Sequence, residues 1–279
     1  VEGALRKGAA VAVVSSEKRA ALSADAGPLV VVDDVLASLS RLGIRARERT
    51  AAKVIAVTGS VGKTSTKDLL AGVLSTTFRT AASEKSFNNE LGLPMTLVNA
   101  PDGTEAVVLE MGARGVGHIE LLCGIGRPTV GVITRVEAVH LENFGSLDAV
   151  AQTKGELVES LPDDGLAVLN ADDPAVVAMA SRTSARVLTY SASGASADLT
   201  ASGVVLDDQL RASFTLHSPW GSVPVRLGAR GEHQVGNALA AAADFAGGVE
   251  AVHHRHLHVH QHHVEALVWL GEAVEGERA

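Results

Sequence analysis

The sequence predicts an α/β protein with a central parallel sheet, helices on both of its faces and a small antiparallel sheet. Three observations support this fold class. Short apolar runs rich in valine, isoleucine and alanine recur between residues 51 and 190, and helix-compatible stretches separate them. Such alternation is typical of a parallel sheet that is covered on both faces. Residues 197–228 instead read as short strands joined by turns, which is typical of antiparallel pairing.

The first 50 residues are predicted to form part of a small N-terminal α/β domain. Short buried strands are expected at 9–14 and 29–32. Asp33 or Asp34 could cap a helix that runs from Val35 to Leu42. Two strands and one helix are few for an independent domain, so this piece looks like the second half of one.

The central domain is predicted at residues 51–248, and its strands end in polar residues. The first strand is expected at 54–58, and the others follow at 106–110, 130–134, 167–170 and 186–189. In open sheets of this kind, ligands bind at the carboxyl ends of the strands. Four polar residues fall at such ends: Thr58, Glu110, Thr134 and Asn170.

The antiparallel part is predicted from four short runs, at 199–201, 204–206, 212–216 and 223–227. Turn residues separate these runs at Asp207–Asp208 and at Pro219–Gly221. An alanine-rich helix is expected to follow, from His233 to Ala246.

Composition narrows the function classes. The chain has 279 residues, enough for two domains, and 46% hydrophobic residues, enough for a core. Its net charge of −8, with no evident basic face, argues against nucleic acid as a partner. No apolar run approaches the roughly 18 residues that span a bilayer, so no membrane insertion is expected. The one cysteine, Cys123, excludes an internal disulfide, and we expect a cytoplasmic monomer.

A phosphate-binding loop is the most informative motif. Residues 54–66 read as a β-branched strand, a loop bracketed by glycines and the start of a helix. Consecutive backbone N–H groups and the positive end of the helix form a cradle for phosphates. Lys63 could reach the β- and γ-phosphate oxygens of ATP, and the Thr64 hydroxyl could bind Mg²⁺. The predicted nucleotide contacts here are Thr58, Gly59, Ser60, Val61, Gly62, Lys63, Thr64 and Ser65.

The loop departs from the general pattern G-x-x-x-x-G-K-[ST]. That pattern requires a glycine at position 57, where this chain has valine. The bracket is instead the shorter T-G-x-x-G-K-T, from Thr58 to Thr64. The alternative is a glycine-rich turn with a chance Lys-Thr, and the flanking strand and helix argue against it.

Two polar stretches lie around the next strand end. The stretch from Ser86 to Pro94 contains Asn88 and Asn89 and would by itself be an ordinary loop. Glu110 ends a strand and could bind Mg²⁺ beside Thr64, since Mg²⁺ prefers oxygen ligands. It could equally be a solvated strand end.

Two later stretches leave their roles equally open. His140 is a lone histidine, which is more often structural than catalytic. Lys154 falls on a predicted helix, where a lysine is by default a solvated surface charge. Asn237 follows His233 by four residues, so both would project from nearly the same helix face.

The order of these motifs resembles that of the Mur ligase family, ATP-dependent amide-forming enzymes of bacterial peptidoglycan synthesis. Within the family, the chain looks most like the branch that joins D-alanyl-D-alanine to UDP-N-acetylmuramoyl-tripeptide. The resemblance is carried by T-G-x-x-G-K-T at 58–64, N-N and a following G-x-P at 88–94, E-x-G-A at 110–113, H-L-E-x-F-G-S at 140–146, K-G-E at 154–156, N-A-D at 170–172 and G-x-H-x-x-x-N-x-L-A-A at 231–241.

The resemblance implies ATP and Mg²⁺ as cofactors and assigns roles to residues. The implied catalytic residues are Lys63, Lys154 and His140, and the implied metal ligands are Thr64, Glu110, His140 and Lys154. Lys154 matches the family lysine that is carbamylated and serves a second Mg²⁺. Further nucleotide contacts are implied at Asn170, His233 and Asn237, and contacts to the nucleotide-sugar substrate at Asn88 and Asn89.

The implied reaction is carboxyl activation. The peptide carboxylate attacks the γ-phosphate of ATP to give an acyl phosphate, which the amine of D-alanyl-D-alanine then attacks. Two alternatives stay open: an ATP-binding domain without ligase turnover, and a sibling Mur or folylpolyglutamate-type ligase with another amine substrate.

The resemblance covers about residues 5–248 and then ends. Family enzymes have three domains, so we expect the N-terminal domain to be partial and the C-terminal domain to be absent. Residues 249–279 are predicted to be a tail unlike the family. Seven of the eleven histidines lie between His253 and His263, which indicates either a metal-binding tract or a tail with no selected role. The mixed spacing favours the second interpretation.

Overall fold

The computed structural model describes residues 1–23, 25–138 and 144–252, apart from the side chains of residues 246 and 248–252. Within these residues the chain forms a nine-stranded sheet and a separate two-stranded sheet. Helices cover both faces of the large sheet, which confirms the predicted α/β class. No helix in the described ranges combines the length and apolar character needed to cross a bilayer. The histidine-rich tract at 253–263 lies outside these ranges.

The N-terminal piece contains α1 (Glu2–Arg6), β1 (Ala12–Ser15), α2 (Ser16–Ala20), β2 (Leu29–Val32) and α3 (Val35–Glu48). β1 and β2 pair in parallel and form the small sheet. Asp34 caps α3, because its carboxylate accepts the backbone N–H groups of Leu36 and Ala37. The helix continues past its predicted end at Leu42, where Gly43 packs closely against Pro94 of a later helix.

The large sheet and its helices follow in chain order: β3 (Lys53–Thr58), α4 (Lys63–Ser75), β4 (Thr80–Ala82), α5 (Gly92–Val98), β5 (Ala106–Glu110), α6 (His118–Gly126), β6 (Val130–Ile133), α7 (Leu147–Glu159), β7 (Leu166–Asn170), α8 (Pro174–Val177), a 3₁₀ turn (Ala178–Arg182), β8 (Arg186–Ser191), β9 (Leu199–Leu206), β10 (Arg211–Ser218), β11 (Gly221–Arg230) and α9 (Gln234–Val252). The strand order across the sheet is β11-β10-β9-β8-β7-β6-β3-β5-β4. Helix α9 begins one residue later than predicted.

The parallel and antiparallel parts are one continuous sheet. Strands β3 to β9 run parallel to one another, and β10 and β11 extend the sheet in antiparallel fashion beyond β9. The predicted strands at 199–201 and 204–206 are a single strand, β9. Its pairing with β10 shifts register between Ser213 and Thr215. The polar Ser202–Gly203 step is thus accommodated by a local irregularity in the pairing and does not end the strand.

The core has two layers, one on each face of the sheet. Successive residues of β3 supply both layers: Ile55 and Val57 face α4 and α9, whereas Val54 and Ala56 face α5, α6 and α7. Valine, leucine and alanine fill these layers, as expected of a chain with 3% aromatic residues. The core thereby fixes the carboxyl ends of β3, β5, β6 and β7 along one edge of the sheet.

Candidate active site

The loop between β3 and α4 requires glycine at two positions. A Cβ on Gly59, whose φ is 151°, would overlap the side chain of Thr134. Gly62 is the N-cap of α4 at φ 85°, and a Cβ there would lie 2.8 Å from Oδ1 of Asn237. Both values of φ lie in the region that favours glycine. The loop can therefore pass close to β6 and α9 only with these residues.

Polar contacts hold this loop against the chain that follows β6. The Ser60 backbone N–H donates to the carbonyl of Arg135 at 2.7 Å, and the Ser60 hydroxyl contacts the backbone of Glu137. The Thr134 hydroxyl donates to the carbonyl of Val61 at 2.6 Å. The loop is thus fixed before any ligand arrives, which reduces the ordering cost of binding.

Lys63 is the first residue of α4, and its ammonium folds back over the loop. Nζ donates to the carbonyls of Gly59 at 2.7 Å and Ser60 at 3.1 Å. Burial lowers the pKa of Lys63, and the nearby Glu110 carboxylate opposes that shift. No side chain among the described residues caps the first turn of α4. Its N–H groups and the Lys63 ammonium therefore form an anion-binding corner.

Glu110 lies beside this corner at the end of β5. Its side chain is buried, with Oε2 accepting the Thr64 hydroxyl at 2.8 Å and Oε1 accepting the Asn88 amide at 2.8 Å. The predicted neighbours Glu110 and Thr64 are thus brought together. The described residues contain no cluster of three histidine, cysteine or acidic side chains suited to a metal. Two oxygen ligands fit Mg²⁺, which usually keeps waters and substrate oxygens as its other ligands.

Lys154 is buried, in contrast to the surface lysine that its helix position suggests. Its exposed fraction is 4%, and burial, with a smaller contribution from Lys63, lowers its pKa to about 7. Lys154 and Lys63 line one cavity of about 380 Å³, which we call the cleft. The cleft is also lined by Gly59, Ser60, Asn88 and Asn89. An amine with this pKa is partly neutral at physiological pH and can act as a nucleophile.

The two residues after Lys154 explain the rest of the K-G-E motif. The Arg182 guanidinium lies over α7 at Gly155, where any Cβ would overlap it. Arg182 donates to the carbonyl of Gln152 at 2.9 Å. The buried Glu156 carboxylate accepts two backbone N–H groups at the start of α6, at 2.6 and 3.0 Å. These contacts fix the turn of α7 that carries Lys154.

The further residues predicted to contact the nucleotide lie in and around α9 and at the end of β7. Asn237 is buried on α9, and its Oδ1 accepts the Thr66 hydroxyl at 3.2 Å. His233 is exposed in the turn before α9. Asn170 is buried, and its amide donates to the carbonyl of Thr134 at 2.7 Å. None of these three residues is among those that line the cleft.

The other predicted site residues differ in their burial and in their contacts. The Thr58 hydroxyl is buried and donates to the carbonyl of Met111 at 2.8 Å. Asn89 lines the cleft, and its Oδ1 accepts the N–H groups of Leu91 and Gly92. Ser65 is half-buried in the first turn of α4. The predicted catalytic and metal-binding residue His140 lies outside the described residues.

Three residues at or beside the cleft that the sequence did not indicate are Glu90, Arg114 and His118. Arg114 and His118 line the cleft, and Glu90 joins them. A hydrogen bond from its own backbone N–H holds the pKa of Glu90 low, with His118 and Arg114 contributing and burial opposing. Adjacency in sequence could have signalled Glu90, which directly follows Asn88–Asn89. No comparable signal marks the other two.

Comparison with known proteins identifies relatives of this arrangement. Residues 57–244 match the Mur ligase middle domain. The UDP-N-acetylmuramoyl-tripeptide–D-alanyl-D-alanine ligase of Mycobacterium tuberculosis is 47% identical over 212 residues, which cover 75% of this chain and 41% of that protein.

Two solved structures are similar to the whole described fold. One is the UDP-N-acetylmuramoylalanyl-D-glutamyl-2,6-diaminopimelate–D-alanyl-D-alanyl ligase of Acinetobacter baumannii, with a TM-score of 0.77, 32% identity and coverage of 94% of this chain and 53% of that one. The other is MurF ligase of Thermotoga maritima in complex with ADP, with a TM-score of 0.74, 26% identity and coverage of 88% and 56%. The chain thus spans about half the length of the relatives it matches.

Proposed function

Because the chain belongs to the Mur ligase family, we propose that it acts in joining D-alanyl-D-alanine to UDP-N-acetylmuramoyl-tripeptide with ATP. One observation carries the proposal: the phosphate-type loop, Asn88 and Asn89, and a buried lysine line a single cleft. The names of the M. tuberculosis and A. baumannii relatives support the two substrates. The ADP complex of the T. maritima relative supports nucleotide binding.

The triphosphate of ATP is proposed to bind at the start of α4. Backbone N–H groups of residues 59–65 and the Lys63 ammonium would contact its oxygens. Thr64 and Glu110 would hold Mg²⁺, and bound Mg²⁺ neutralises charge that develops on the transferring phosphoryl group. Asn170, His233 and Asn237 are proposed to contact the nucleoside. The role of His140 as a metal ligand is proposed from the family motif.

The chemistry follows from the two substrates. A peptide carboxylate oxygen attacks the γ-phosphorus, the bond to the β-phosphate oxygen breaks, and ADP leaves. The D-alanyl-D-alanine amine then attacks the acyl carbon, loses a proton and expels phosphate. Both steps depend on positioning and charge neutralisation more than on a strong base. Lys63 is suited to the first step, because its ammonium lies at the loop that would hold the phosphates.

Lys154 is proposed to act as a carbamate. Its neutral amine would add to carbon dioxide and release one proton, which converts a cation into an anion. The lowered pKa supports this step, because only the neutral amine has a lone pair to attack with. The resulting carboxylate would lie in the cleft, where it could bind a second Mg²⁺.

The remaining expectations are part of the same proposal. Residues 1–50 would contribute to the domain that holds the UDP-sugar, and residues 51–248 would form the ATP-binding domain. Asn88 and Asn89 would contact the sugar-peptide substrate, which their position in the cleft supports. A cytoplasmic location and a monomeric state remain predictions.

Nucleotide binding by the Lys63→Ala variant tests the proposal. We expect the affinity for a non-hydrolysable ATP analogue with Mg²⁺ to fall about 100-fold or more, because a charge-assisted contact is lost. The thermal midpoint should change little. Isothermal titration calorimetry measures the affinity, and the exposed Lys18→Ala on α2 is the control.

Unchanged affinity in Lys63→Ala would remove the phosphate role of Lys63 and with it the proposed site. Product analysis separates the proposed ligase from an ATP-binding domain without turnover. Amide product from UDP-N-acetylmuramoyl-tripeptide, D-alanyl-D-alanine and ATP supports the ligase. Nucleotide binding without phosphate release favours an ATP-binding domain without turnover.

A further inference from the structure

Arg114, Glu90 and His118 form a closed ring of hydrogen bonds at the rim of the cleft, which we call the arginine ring. The Arg114 guanidinium donates from Nη1 to Oε1 of Glu90 at 3.1 Å. The other oxygen, Oε2, lies 3.0 Å from Nε2 of His118. The Arg114 backbone N–H donates to Nδ1 of His118 at 3.1 Å. Because Nδ1 accepts that bond, Nε2 carries the proton of the neutral imidazole and donates to Glu90.

The three side chains differ in exposure. The side chains of Glu90 and His118 are 19% and 14% exposed, whereas that of Arg114 is 67% exposed. Because the Arg114 side chain is exposed, its ion pair with Glu90 contributes little to stability. The main consequence of the arginine ring is therefore orientation: two largely buried groups fix an exposed guanidinium at the edge of the cleft.

The oriented guanidinium has donors to spare. A guanidinium has five N–H donors, and within the described part of the chain Arg114 uses one of its side-chain nitrogens, Nη1, on Glu90. The remaining donors form the planar fork that binds a carboxylate through two parallel hydrogen bonds. Lys63 lies in the same cleft, so a ligand bound there meets cations at two places, Lys63 and Arg114.

We propose that Arg114 binds a carboxylate of the peptide substrate other than the carboxylate that reacts. This inference rests on the proposed function, which places the reacting carboxylate at the γ-phosphate of ATP, beside Lys63. The nucleotide phosphates are assigned to the loop at 59–65, so they do not need Arg114.

Two carboxylates of the substrate have this chemistry. An alanyl-glutamyl-diaminopimelate tripeptide, as in the name of the A. baumannii relative, keeps one free carboxylate on its glutamyl residue. Diaminopimelate has two carboxylates, so one remains after the other has reacted. Either group is a planar anion that the fork fits, and the substrate forms used in the test distinguish them.

The test is calorimetric binding of three forms of UDP-N-acetylmuramoyl-tripeptide. One contains glutamate and diaminopimelate, one replaces diaminopimelate with lysine, and one amidates the glutamyl carboxylate. We expect Arg114→Gln to weaken binding of the first form about 10-fold. For the form that lacks the bound carboxylate, the variant and the wild type should bind equally. The affinity of Arg114→Lys for the first form should lie between those of the wild type and Arg114→Gln, because lysine keeps the charge and loses the planar fork of donors.

Two controls make the result specific. Arg79→Gln removes a comparably exposed arginine, paired with Glu105 near the start of β4, and should bind all three forms as the wild type does. Binding of ADP with Mg²⁺ should be unchanged in Arg114→Gln.

An equal loss by Arg114→Gln for all three forms, or no loss for any, would overturn the role of Arg114. That outcome leaves the proposed function intact. A wild-type chain that binds the nucleotide and none of the three substrate forms would overturn the proposed substrate and this inference together.

Discussion

Two buried ionisable side chains lie towards opposite ends of the large sheet. Lys154 lies on α7 by the carboxyl ends of the strands, and burial, with Lys63, lowers its pKa to about 7. Asp244 lies on α9 near Lys53, the first residue of β3, and burial raises its pKa to about 7. Both groups are shifted towards neutrality for the same reason, since burial disfavours the charged form.

Lys154 and Asp244 differ in their surroundings. Lys154 lines a cleft, and the contacts of Arg182 and Glu156 fix its helix on two sides. Asp244 lies in an alanine-rich helix against the core, and its Oδ1 has no hydrogen-bond partner among the described residues. A buried charge that opens onto a cleft has a chemical use that can offset its cost in stability. Within the described part of the chain, Asp244 does not line that cleft, so its burial should appear chiefly as a cost in stability.

The Lys154→Met variant should have the largest effect of the substitutions considered. It should raise the stability of the fold and abolish product formation. Below pH 7 the folded protein holds a buried ammonium, so the variant should be more stable than the wild type by on the order of 2 kcal/mol. Between pH 7 and about 10, in the absence of carbon dioxide, the folded lysine is a neutral amine and the unfolded one is charged. Wild-type stability therefore rises there, and the advantage of the variant shrinks by up to about 1.4 kcal/mol per pH unit.

Urea unfolding from pH 6 to pH 9.5 measures that advantage, and product formation should be lost in the same variant. A constant difference between the two proteins across this range would contradict the buried-ammonium description. Retained product formation would contradict the proposed role of Lys154.

The Asp244→Asn variant should show the opposite pH dependence. The folded carboxyl keeps its proton up to about pH 7, whereas the unfolded one loses it near pH 4. Wild-type stability from this group is therefore present at pH 4 and falls as pH rises to 7. The advantage of Asn should grow over that range by up to about 1.4 kcal/mol per pH unit and then level off.

Urea unfolding at pH 4.5, 6 and 8 tests this effect, and the exposed Asp102→Asn is the control. Nucleotide affinity should not change in Asp244→Asn. If the advantage of Asn were the same at all three values of pH, the carboxyl would not be buried as described. If nucleotide affinity changed, the two ends of the sheet would be coupled.

The sequence predicts the fold well where a local pattern decides it. β-Branched runs marked β3, β5 and β6, and the pair Asp33–Asp34 marked the start of α3, with Asp34 as the actual cap. β4 was not predicted, because its three residues, Thr-Ala-Ala, do not form a run of β-branched apolar residues. β9 was predicted as two strands because Ser202 and Gly203 look like a break, and tertiary pairing with β10 overrides that local preference.

The candidate site shows the same limit more sharply. Thr64 and Glu110 could be predicted to meet, because parallel strand ends share one edge. The burial of Lys154 could not be predicted, because the position of a residue in a helix does not show which other parts of the chain cover it. The arginine ring joins the segment after β4 to the segment after β5, which the pairing of β4 with β5 brings together. Asp244 had a weak signal, as the acidic residue within the alanine-rich part of α9, residues 238–246.

A crystal structure of the chain with Mg²⁺ and a non-hydrolysable ATP analogue tests the central claim most directly. We expect the triphosphate over the start of α4, in contact with Lys63, and Mg²⁺ bound between Thr64 and Glu110. A well-occupied nucleotide elsewhere on the chain, or a loop with no ligand at saturating concentration, would contradict the account.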